Sequence, residues 1–170
     1  MPAVACPYFF PTEKNFDIDW AFPHRLPLGT GFSGLCMAGN TRSTPTQTEL
    51  KEFCNLGYAR QCPKLPAHRH ADSVRFSRAA TNGASKDRLR VYYSCEQNHA
   101  PVEHGVLEYD RQTRSWQSTH PDPCIQRQAQ CYVEAFLERR TTGQPCEEAG
   151  QRENVNTQSA RNVNTQVSAK

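Results

Sequence analysis

The placement of the cysteines constrains this chain of 170 residues more than any other feature. Four of its eight cysteines fall in the first third of the sequence, namely Cys6, Cys36, Cys54 and Cys62. The chain contains no C-x-x-C pair, the motif with which zinc ribbons and zinc fingers direct two thiolates at one ion. If these four thiols share one site, their ligand loops must therefore come from separate parts of the chain.

The surrounding sequence indicates a reducing compartment. Residues 1–7 lack the basic segment and the long apolar stretch of a signal peptide. No apolar run approaches the roughly 20 residues that a membrane-spanning helix needs. We therefore expect a cytoplasmic protein with no membrane association, in which clustered cysteines indicate metal binding or catalysis rather than disulfides.

Two of the four cysteines are followed by proline, in Cys6-Pro7 and Cys62-Pro63. Proline removes a backbone donor and stiffens a ligand loop, and Cys-Pro occurs in iron–sulfur sequences. The aromatic and glycine-rich surroundings favour a dry shell with closely approaching amides. Over residues 6–63 the chain resembles four-cysteine, [4Fe-4S]-binding bacterial proteins. The resemblance implies a cluster held by all four thiolates, for electron transfer, redox sensing or a structural purpose. A zinc-stabilised protein-interaction module is the alternative.

The pattern along the chain predicts an α+β fold. We expect an irregular Cys-rich N-terminal lobe with one short helix (1–66), a small antiparallel β meander with one C-terminal helix (67–140), and a disordered tail (141–170). Five prolines in the first 35 residues argue against a long helix there. Thr44, Pro45 and Gln47 predict the start of the short helix through a cap and a capping box, and Gly57 predicts its end.

Period-two alternation predicts the meander. We expect strands at Val74–Phe76 and Arg88–Gln97, with a turn at Asn82-Gly83 between them. A loop over 98–105, a returning strand at Val106–Asp110 and a short strand near 114–117 follow. An apolar stripe with helical spacing then predicts a helix from about Pro123 to Arg140. The tail carries a near-repeat over 154–169, which is too short and too polar for a solenoid.

The remaining cysteines form a second set, Cys95, Cys124, Cys131 and Cys146. Cys95 shares a strand face with core residues, and Cys131 lies on the apolar helix stripe, so both are predicted to be small buried hydrophobes. Cys146 lies at the start of the tail and has no assigned role. A disulfide between Cys124 and another of these remains an alternative under oxidising conditions.

Two further patterns could support a different activity. His99 and His104, with Glu103, could form a histidine–carboxylate metal site in a small enzyme, but a solvated hairpin is the preferred interpretation. Gly29, Gly31 and Gly34 match G-x-G-x-x-G without the preceding strand and following helix of a nucleotide site, and predict a flexible approach to Cys36. These patterns favour a protein that is not an enzyme, and no small-molecule substrate is inferred.

The charge pattern helps to indicate which kind of partner the chain binds. The net charge is +3 with acids and bases interleaved, which argues against nucleic-acid binding. Arg88, Arg90 and Tyr92 share one strand face, with Arg111 and Arg114 nearby, and a solvated sheet face is the preferred interpretation. The Pro- and aromatic-rich N-terminal arm predicts a protein partner, including membership of a larger assembly.

Overall fold

The computed structural model describes residues 4–57, 61–79 and 87–141. The strands in these residues are β1 (Phe9–Lys14), β2 (Phe32–Cys36), β3 (Ser73–Arg78), β4 (Arg88–Gln97), β5 (Ala100–Asp110) and β6 (Ser115–Trp116). The helices are α1 (Gln47–Glu49), which continues as a π-helical turn (Leu50–Cys54), a short 3-10 turn (Pro23–Arg25), and α2 (Pro123–Thr141). The predicted α+β fold is confirmed.

The N-terminal lobe is more regular than expected, because β1 and β2 pair antiparallel as a separate sheet. Pro11 lies opposite Gly34, and the register shifts between Pro11 and Lys14. Both strands are edges, where a proline costs no central ladder bond. Gly34 is not a flexible element: a Cβ there would lie 2.3 Å from the carbonyl oxygen of Phe10. The glycine allows the two backbones to approach closely.

The second sheet is an antiparallel meander in the order β3-β4-β5-β6. The predicted loop over 98–105 is wrong, since only Asn98 and His99 connect β4 to β5. Both have positive φ, at 51° and 66°, which is the backbone of a type I′ hairpin turn. Pro101 does not interrupt β5, because it falls at a register shift opposite Glu96.

Helix α1 begins two residues later than predicted. Thr46, not Thr44, is the N-cap: its hydroxyl accepts from the Glu49 amide, and the Glu49 carboxylate accepts from the Thr46 amide at 2.7 Å. Either threonine suits a cap by sequence, but only Thr46 has a carboxylate three residues later. The helix then widens, because Asn55 N–H donates to the Leu50 carbonyl five residues back.

One hydrophobic core joins the lobe to the meander. It contains Phe9 and Leu28 from the lobe, Val91 from the meander and Val133 from α2. The predicted division at residue 66 therefore passes through a continuous core. Ala5 strengthens the connection by exchanging both backbone hydrogen bonds with Val74 of β3.

Helix α2 matches its predicted span to within one residue at its end. Within the described ranges, no helix has both the length and the apolar character needed to cross a membrane. The predicted turn at Asn82-Gly83, Cys146, all but the first residue of the predicted tail, and the 154–169 near-repeat lie outside the described residues.

Substitution of Gly105 by alanine should destabilise the meander. A Cβ at Gly105 would lie 2.7 Å from the Tyr93 ring, so the ring must move and strain its hydrogen bond to Glu103. We expect a loss of about 1–3 kcal/mol in the free energy of unfolding, measured by urea denaturation. Gly39→Ala is the matched control, because its Cβ would meet nothing closer than 3.8 Å. Equal stability of the two variants would contradict the assigned packing.

Candidate functional site

Four cysteines from four separate segments converge beside the β1–β2 sheet. We call Cys6, Cys36, Cys54 and Cys62 the thiol group. The amide of Cys6 donates to the carbonyl of Cys54 at 3.2 Å, and Cys36 lies opposite Phe9, three residues after Cys6. Cys6, Cys36 and Cys54 are buried, whereas Cys62 is half-buried. The group is therefore mostly enclosed, with one thiol near the surface.

Both Cys-Pro pairs form the same local structure. The carbonyl of Cys6 accepts from the amide of Phe9 at 3.1 Å, and the carbonyl of Cys62 accepts from the amide of Leu65 at 3.2 Å. Each bond spans three residues and closes a turn with proline in the second position, where its fixed φ is favourable. The prolines thus hold two of the four cysteines in rigid turns.

Cys54 is positioned by the π-helical turn that ends α1. The side chain of the buried Asn55 fixes this turn to β2. Its Oδ1 accepts from Phe32 N–H at 2.9 Å, and its Nδ2 donates to the carbonyls of Phe32 and Leu50 at 3.0 and 3.3 Å. A π turn of this kind is rare and occurs frequently at functional sites. The sequence contained no signal for it, because it depends on the contact with β2.

The electrostatics of the group confirm that its members are neighbours. Burial raises the pKa of the Cys6 thiol to about 12, and the charges of Cys36 and Cys62 add to the effect. Burial also raises the pKa of Cys54, with further contributions from the other three thiols. The raised pKa values of Cys6 and Cys54 keep these two thiols protonated at neutral pH, and thiols of this kind lose their protons when they bind metal.

A single zinc ion and a four-iron cluster require different arrangements of their thiolate ligands. Among the described residues, no three side chains of His, Cys, Asp or Glu are arranged to hold a single metal ion. Zinc bonds to thiolates at about 2.3 Å, which requires all four sulfurs to meet at one point. A cluster of four irons places each thiolate on a different iron and so keeps the sulfurs further apart.

Helix α2 borders the thiol group through Gln128, which is fully buried. Its Nε2 donates to the carbonyls of Cys6 and Phe9 at 2.8 and 2.6 Å, while its Oε1 has no hydrogen-bond partner among the described residues. Cys124 lies one turn earlier on the same helix face. Burial, Asp122 and Cys36 raise the pKa of Cys124 to about 12. A fifth thiol therefore lies beside the group, and the spacing of the cysteines in the sequence gives no signal for it.

The other cysteines behave differently. Cys95 and Cys131 have no exposed surface and lie in the hydrophobic core, which confirms that they are buried hydrophobes. Burial raises the pKa of Cys95 to about 12 and that of Cys131 to about 11. Neither is placed to act as a nucleophile, because a nucleophilic thiol needs exposure and a low pKa.

The structure does not bring His104 together with Glu103. The two are neighbours in β5 and project to opposite faces of the sheet, while His99 occupies the turn before that strand. Glu103 instead contacts His70 at 3.0 Å and His120 at 3.2 Å. This pairing of distant residues had no sequence signal.

The Glu103 contacts form a hydrogen-bond network and not a metal site. The Nδ1 of His120 accepts from the Asp122 amide at 2.9 Å, so the neutral ring carries its hydrogen on Nε2, which faces Glu103. Tyr93 also donates to Glu103, at 3.2 Å. Burial opposes ionisation of Glu103, but the hydrogen bonds from His120 and Tyr93 outweigh it, and the pKa of the carboxyl is lowered.

The face of the meander that carries Tyr92 is mixed in charge. Arg90 pairs with Glu108 at 3.1 Å, and Arg75 pairs with Glu96 at 2.5 Å. Pairing of this kind is typical of a solvated sheet face.

The thiol group thus brings together four cysteines that lie far apart in the sequence. Comparisons of the chain with protein-family models, with curated proteins and with solved structures give no match.

Proposed function

We propose that this protein binds a [4Fe-4S] cluster through Cys6, Cys36, Cys54 and Cys62 and uses it in electron transfer or redox sensing. The observation that carries the proposal is the convergence of four thiols from four segments at a mostly buried position. Cysteines that serve only as small hydrophobic residues of a core have no need to lie close to one another. Four thiolates match the ligand set of such a cluster.

The separate origins of the four thiols support a cluster over a single zinc ion. Each thiolate of a cluster binds a different iron and can come from its own loop, whereas zinc sites usually present C-x-x-C pairs, which this chain lacks. Cys6 and Cys54 also belong to the hydrophobic core, which supplies the water-poor surroundings that tune a cluster. When bound, the cluster supplies one-electron redox chemistry.

The exposure of Cys62 supports a redox role over a purely structural one. It is half-buried, and both Pro63 and Lys64 beside it are exposed. An electron-transfer partner protein can therefore approach the edge of the cluster that Cys62 would hold. Because all four positions on the irons are occupied by thiolates, the cluster leaves no open iron for a substrate.

Protein purified without oxygen should be brown. We expect broad absorption near about 400 nm, with roughly four irons and four sulfides per chain. A one-electron reduction seen by paramagnetic resonance should accompany bleaching of this band. A colourless protein with one zinc per chain would overturn the proposal in favour of a zinc-stabilised interaction module. Protein that binds neither iron with sulfide nor zinc, when each is supplied in turn, would overturn both the cluster and the zinc module.

A further inference from the structure

A second site lies at the C-terminal end of α2, and it shares no residue with the thiol group. The turn between β5 and β6 and the last turn of α2 border an open cleft of about 620 Å³. Guanidinium side chains from three positions line it, namely Arg111, Arg114 and Arg140. We call this the arginine cleft. Its volume lies in the range of sites that bind small organic molecules.

The charge of the cleft is positive. Among the described residues that line it, there are three arginines and one carboxylate, Asp87, which gives a formal charge of +2. An adjoining cavity of about 420 Å³ shares Arg114 and is lined by Glu134 and Glu138. The Glu138 carboxylate is paired with Lys14 at 2.5 Å. The cleft itself therefore favours an anion with more than one negative charge.

The backbone of Arg114 is in an unfavourable conformation. Its φ is +52°, in the left-handed region that a side chain disfavours. The turn is otherwise well formed, since the Asp110 carboxylate accepts from the amides of Gln112 and Thr113 at 2.8 and 3.0 Å. Glycine is the usual residue at such a position in a hairpin. Strained residues of this kind cluster at ligand sites, and Arg114 lines this cleft.

We infer that the arginine cleft binds a small phosphorylated molecule. A guanidinium offers paired N–H donors that match two phosphate oxygens, and several such groups around one cavity recognise a multiply charged phosphate. The side-chain amide of Gln112, which also lines the cleft, adds a neutral donor. The remaining volume accommodates an organic group attached to the phosphate.

Calorimetric titration of the full chain with pyrophosphate and with ADP tests the inference. We expect pyrophosphate to bind with a Kd below about 1 mM at low salt. Tighter binding of ADP would identify an organic phosphate as the ligand, and tighter binding of pyrophosphate an inorganic one. Absence of binding by both probes at several millimolar would overturn the inference.

Arg114→Gly separates a binding role from a structural one. We expect this variant to bind pyrophosphate at least about tenfold more weakly while its Tm stays equal or rises, because glycine relieves the strained backbone. Arg90→Ala is the matched control: Arg90 pairs with Glu108 on another face, and its loss should leave the Kd unchanged. Wild-type affinity in Arg114→Gly, or an equal loss in Arg90→Ala, would show that the anion does not bind in this cleft.

Discussion

Replacement of Cys54 by alanine is expected to abolish cluster binding. Alanine offers no ligand atom, and Cys54 is buried away from solvent. Cys124 is the only other thiol found beside the group in the described residues, and its electrostatic neighbours there are Cys6 and Cys36 rather than Cys54. The variant should therefore lack the band near about 400 nm and hold fewer than about four irons per chain.

Cys131→Ala is the matched control for this experiment. Cys131 is a fully buried cysteine of the core with no member of the thiol group among its electrostatic neighbours. The change in side-chain volume is the same, so any general effect of removing a buried thiol appears in both variants. If Cys54→Ala retained the full iron content, or if Cys131→Ala lost it equally, the ligand assignment would be wrong.

Asn55→Ala is expected to lower the stability of the metal-free protein by about 3 kcal/mol. The substitution leaves the buried N–H and carbonyl of Phe32 without partners, and each unpaired group costs about 1–3 kcal/mol. For a chain of this size the melting temperature should fall by roughly 6–12 °C. Thermal unfolding followed by circular dichroism, on reduced protein, measures the effect.

Asn40→Ala provides the comparison, because Asn40 is exposed. It should change the free energy of unfolding by no more than about 0.5 kcal/mol. An Asn55→Ala protein as stable as the Asn40→Ala protein would mean that the side chain of Asn55 does not hold the π-helical turn against β2.

The local pattern of apolar and polar residues was sufficient to predict β4 and α2. The alternation in β4 and the apolar stripe of α2 predicted Arg88–Gln97 and Pro123–Thr141 almost to the residue. Each signal is repeated over many positions, so single exceptions do not obscure it. The start of α1 was misplaced because two threonines compete for one cap, and only a contact three residues later distinguishes them.

Long-range pairing was not predictable from the sequence. The β1–β2 sheet contains Pro11 opposite Gly34, two residues that locally argue against a strand. By its sequence, Gln128 is a polar residue of an amphipathic helix and is expected to face solvent. In the structure it is fully buried and donates to the Cys6 carbonyl. Cysteine spacing suggested which four thiols share a region, whereas the neighbouring Cys124 became apparent only from the packing of α2.

The contact between Gln128 and Cys6 has a consequence for biosynthesis. These residues are separated by 122 positions, so the turn that carries the first thiol lacks its support until α2 has left the ribosome. A chain still in synthesis therefore presents its cysteines on separate, unsupported segments, as individual reactive thiols. We expect assembly of the proposed cluster to begin only after α2 has been synthesised.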